Sequence, residues 1–100
     1  MQYITSDPKI HLVERILKEP QLTVTHLVLR AGEVMHEHLA PSDALVIPFK
    51  GKLMFFGEAG SNAQEIQPGM IVRLTEGEAH ALEALEDSEL MVVKMILASA

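Results

Sequence analysis

Short apolar runs, most of them alternating with polar positions, recur along the chain and are separated by glycine, proline or small polar clusters. Leu22 to Arg30 reads LTVTHLVLR. An extended backbone puts Leu22, Val24, His26, Val28 and Arg30 on one face and Thr23, Thr25, Leu27 and Leu29 on the other. The same reasoning predicts strands at His11 to Leu17, Ala44 to Phe49, Lys52 to Phe56, Met70 to Leu74, His80 to Leu85 and Leu90 to Leu97, with a short polar segment at Ala63 to Gln67. Ile10 to Glu19 also fits a helical period, which leaves helix as the competing reading of that stretch. Lys50-Gly51 between two apolar runs reads as a hairpin turn joining Ala44–Phe49 to Lys52–Phe56. Pro48 cannot donate a ladder hydrogen bond, so it predicts an irregularity inside the first of those strands. Roughly eight or nine short strands, spaced about ten residues apart, describe an all-β sandwich or barrel.

Composition narrows the functional classes. The chain has 100 residues, 48% hydrophobic and 22% charged, as expected of one globular domain spanning 1–100. Eight basic against fourteen acidic residues give a net charge of −6, which argues against nucleic acid or an anionic membrane surface as partner. The absence of cysteine excludes disulfides, thiol catalysis and cysteine-bound metal. Met1 to Lys9 lacks the pattern of a signal peptide, and the apolar run near the end is broken by Lys94, so the expected location is the cytoplasm. A core this small favours a homodimer, with His11 to Leu17 or the C-terminal strand supplying the contact.

Of the five histidines, His36 and His38 carry the most information. Two residues apart on an extended segment, they are expected on one face, where both imidazoles can close on one ion. Gly32 precedes them, and Gly69, Gly77 and His80 repeat a strand, turn and histidine arrangement about forty residues later. In this pattern the chain resembles the small single-domain type-2 cupins. The first cupin motif corresponds to Gly32-Glu-Val-Met-His36-Glu-His38, followed by Asp43 and Gly51; the second corresponds to Gly69, Gly77 and His80. The resemblance covers about Leu22 to Met95 and departs from the family at Thr75, in place of a proline, and at Ala84, in place of an asparagine. Counting back from Gly51, the acidic ligand position falls on Ala44, one residue after Asp43, and a one-residue slip moves a side chain to the opposite face.

The resemblance implies a cupin β-barrel or jelly roll (double-stranded, RmlC-like). It implies a divalent transition metal (zinc, iron, nickel, copper or manganese) held by His36, His38 and His80, with Asp43 reaching it only if the Pro48 irregularity or the preceding loop shifts the register. It also implies a small-molecule ligand in the barrel. His26, Met35 and Met54 are the pocket-lining candidates. Whether the protein is an enzyme stays open at this level: oxygenation, isomerisation and decarboxylation all suit an open metal position, and a non-catalytic ligand-binding or sensor protein lacking a functional metal centre is the alternative.

Overall fold

The computed structural model describes residues 1–96, so Leu97, the last residue of the expected C-terminal strand, lies outside the described residues. The strands are β1 (Leu12–Glu19), β2 (Leu22–Leu29), β3 (Val34–Leu39), β4 (Asp43–Lys50), β5 (Leu53–Phe56), β6 (Gln64–Ile66), β7 (Val72–Leu74), β8 (Ala79–Ala84) and β9 (Ser88–Met95), with one short 3-10 turn at Glu58–Gly60. They form two sheets, ordered β1-β2-β9-β4-β7 and β3-β8-β5-β6. Every pairing is antiparallel. Leu27, Leu29, Val46, Leu74 and Leu90 of the first sheet and Leu53, Phe55, Ile66 and Leu82 of the second are buried together between them. Among the described residues no helix is long and apolar enough to cross a membrane.

Residues 12–19 form a strand, and the reason for their helical appearance is a bulge. Arg15 pairs with Thr25 and Leu17 with Val24, which leaves Ile16 as an extra residue. The bulge breaks the period of two and produces the spacing of Val13, Ile16 and Leu17 that a helix would also show.

The expected hairpin at Lys50-Gly51 is corrected by the topology. β4 pairs with β9 and β7, whereas β5 pairs with β6 and β8, so the turn carries the chain from one sheet to the other. Two local features build this corner. Pro48 pairs with Leu90 and Lys50 with Glu89, so Phe49 is an added residue and the irregularity expected at Pro48 is present. Pro48 is tolerated because β7 covers β4 only from Ala44 to Val46 and asks nothing of it on that side. Gly51 then takes φ +85°, and a Cβ there would collide with Ser88 Oγ and the carbonyl of Asp87. Ser88 Oγ accepts the Lys52 N–H at 3.1 Å and ties the corner to β9.

Candidate ligand-binding site

β3 and β8 lie side by side in the second sheet, and their pairing sets the position of the histidines. Met35 pairs with Leu82 and His38 with His80, so His36 and Glu37 together stand opposite Ala81 alone. This bulge turns the strand by one residue. Met35 and His38 consequently line the same cavity between the sheets, of about 340 Å³, together with His80, Leu82 and Phe55. His36 is exposed and is not among its lining residues. The expectation that His36 and His38 share a face is therefore corrected: it held for a regular strand, and the extra residue removes the regularity.

His38 and His80 form a close pair, with ring centroids 4.2 Å apart and planes inclined by 60°. Phe55 on β5 stacks on His80 at 5.8 Å, nearly parallel. Each imidazole is anchored the same way. His38 Nδ1 donates to the carbonyl of His36 at 2.9 Å, and His80 Nδ1 donates to the carbonyl of Glu78 at 3.2 Å. A carbonyl oxygen only accepts, so Nδ1 carries the hydrogen in both rings and the lone pair of each neutral ring sits on Nε2. Burial holds the His80 pKa below its ordinary value, because the cavity wall solvates an imidazolium poorly; the nearby charges of His38 and Lys94 push the same way, against the pull of Glu78. His80, only 8% exposed, thus stays a neutral acceptor at physiological pH.

The other expected site residues lie elsewhere. Asp43 begins β4 and accepts the Glu76 N–H at 2.9 Å, with Arg73 at 3.8 Å. Its neighbour Ala44 is the inward residue, and the Phe49 bulge sits at the far end of the strand, too late to change which face Asp43 occupies. Met54 alternates with the buried Leu53 and Phe55 and so falls on the opposite face of β5. His26 is fully buried, yet it shares the strand face opposite to the core residues Leu27 and Leu29. Its Nδ1 lies 3.1 Å from Glu14 and its Nε2 2.9 Å from Glu89, with the Phe49 ring centroid 5.6 Å away. Phe55, Arg15 and Lys94 are among the cavity residues that escaped the sequence reading. Lys94 was findable, because alternation along β9 places it on the face of Leu90 and Val92. Arg15 needed the β1 pairing.

Similar solved structures share this architecture. An RmlC-like cupin family protein with a double-stranded β-helix fold from Methanocaldococcus jannaschii superposes with a TM-score of 0.83 at 21% identity, over 95% of this chain and 90% of that one. A cupin superfamily protein from Desulfitobacterium hafniense gives 0.79 at 13% identity, over 94% and 84%. A conserved protein of unknown function from Streptococcus pyogenes gives 0.77 at 20% identity, over 99% and 98%. The chain has the cupin fold. No protein-family model matches the sequence, and no curated protein matches it.

Within this cupin fold the expected three-histidine metal set does not assemble. Among the described residues no three His, Asp or Glu side chains are grouped so that they could hold a metal ion. The β3 bulge accounts for His36, and the partners already taken by Asp43 account for the acidic position. The residues that do converge are the pair His38 and His80, offering two Nε2 lone pairs beside an apolar wall.

Proposed function

We propose that the protein binds a small molecule in the cavity between its two sheets, with His38 and His80 as paired acceptors for an O–H or N–H of the ligand, and without a three-histidine metal centre. The observation that carries this reading is the shared anchoring of the two rings, which leaves both Nε2 atoms unclaimed by protein donors among the described residues. The cavity volume of about 340 Å³ is at the lower end for small-molecule sites, which run from ~300 to ~1,000 Å³.

The same anchoring favours a second reading. Metal-binding histidines commonly donate their other ring N–H to a backbone carbonyl, so His38 and His80 would also suit two coordination positions of a transition metal. Elemental analysis of protein purified without a His-tag, beside His36→Ala and His80→Ala variants, separates the possibilities. The first reading expects far less than one equivalent of any transition metal in all three proteins. One equivalent lost only in His80→Ala establishes the two-histidine site. One equivalent lost in both variants overturns the geometry described above.

A further inference from the structure

The cavity that His38 and His80 share carries charge of one sign only, whereas a neighbouring cavity that His80 borders without His38 is lined by Glu58, Glu76, Glu78 and Arg73. Arg15 on β1 and Lys94 on β9 border the shared cavity, and no Asp or Glu does. This runs against the composition of a chain with fourteen acidic and eight basic residues. The two cations stand on strands that flank β2 on either side. Arg15 pairs with Thr25 on β2, and Lys94 pairs with Thr23 on β2 and Ala44 on β4. Among the described residues neither makes an ion pair; the paired cations are Lys50, with Glu89, and Arg73, with Asp43. Lys94 also borders a second cavity shared with Asp43 and Glu76, but the Asp43 carboxylate is engaged by the Glu76 N–H and Arg73.

Lys94 is a half-buried residue that lines the cavity with Val46, Leu74 and Val92, where a charge loses hydration, and among the described residues no carboxylate forms an ion pair with it. Apart from Thr25 and the two histidines, the rest of the cavity wall is apolar, formed by Leu27, Met35, Leu82 and their neighbours. An apolar chamber thus has unpaired cations on its border, with His80 buried in its wall and the exposed His38 beside it.

We infer that the ligand of this cavity is a small organic carboxylate with an apolar body and a hydroxyl group, its anionic end held by Lys94 and Arg15 and its hydroxyl donating to the His38–His80 pair. The inference rests on the ligand-binding reading given above. Charge-assisted hydrogen bonds to the carboxylate supply affinity that a neutral analogue of the same length lacks.

Three probes of equal body and hydroxyl differ only in their other end: hydroxyhexanoate, hexanediol and aminohexanol. Amide chemical shifts of the full chain are followed by NMR during titration with each. Hydroxyhexanoate is expected to shift the amides of Met35, Leu82 and Val92 and to bind about tenfold or more tightly than hexanediol, with aminohexanol weakest. Lys94→Met and Arg15→Met keep the aliphatic stems. Each should reduce hydroxyhexanoate binding toward the hexanediol level while leaving hexanediol unchanged, which also reports that the variants are folded. Equal binding of hydroxyhexanoate and hexanediol, or a preference that survives both substitutions, overturns the carboxylate inference and leaves the cavity reading standing. If no probe perturbs the cavity residues, both fall.

Discussion

Gly51 and Gly32 have nearly the same backbone conformation, φ +85° and φ +87°, but very different surroundings. Nothing lies within 4 Å of where a Cβ would sit on Gly32, whereas one on Gly51 would meet Ser88 Oγ, the Asp87 carbonyl and, at 2.8 Å, Ser88 Cα. Alanine at either position pays the left-handed backbone cost of about 1–2 kcal/mol. At Gly51 it must also displace backbone of the β8–β9 turn, a strain comparable to overpacking a core, about 1–3 kcal/mol. The expected destabilisation is therefore ~1–2 kcal/mol for Gly32→Ala and ~2–5 kcal/mol for Gly51→Ala. Urea unfolding of the two variants beside the parent measures both, with an unchanged slope showing that the transition is the same. In a chain of this size each kcal/mol also lowers Tm by about 4–8 °C. Equal losses in the two variants would refute the claim that Gly51 is required by close packing at the sheet-to-sheet corner, and with it the account of how β5 delivers Phe55 to the cavity.

Three further outcomes are expected. Because burial holds the His80 pKa below the ordinary 6.5, the unfolded chain takes up a proton that the folded chain refuses. The contribution is intact above 6.5 and is lost as pH falls through that value toward the folded one, so between about pH 8 and about pH 5 the parent should lose more stability than His80→Gln; parallel curves would contradict this. His26→Leu removes the partner of both Glu14 and Glu89 from a fully buried position and should cost about 1–3 kcal/mol by chemical denaturation, a neutral or stabilised variant being the contrary result. Leu17, Val24, Leu45, Ile47, Met91 and Val93 leave the outer face of the five-stranded sheet apolar and half-buried, so we expect light scattering at micromolar concentration to give twice the 11.0 kDa monomer mass; the monomer mass would count against a homodimer.

The all-β architecture and most strand positions were legible in the sequence because they depend on local features. Alternation marks which residues of β2, β8 and β9 can face a core, and Gly-containing turns mark where strands stop. The resemblance through Gly32, His36, His38, Gly69, Gly77 and His80 led to the cupin fold for the same reason: those residues occupy turns and strand positions whose spacing along the chain is preserved. What only the tertiary structure decided is the face each site residue presents and the partner each strand takes. Three bulges, at Ile16, at His36–Glu37 and at Phe49, each change the phase of a strand by one residue, and a change of one residue exchanges its two faces. A bulge is a property of the pairing between two strands, so apart from Pro48, which marks the one beside it, no local pattern announces it. That is why His38 reached the cavity with His80 while His36 did not. The Ile16 bulge likewise separates the face of Arg15, read from the sequence only as part of a strand, from that of Leu17, whereas Asp43 bonds the Glu76 backbone because its neighbour Ala44 is the inward residue of β4.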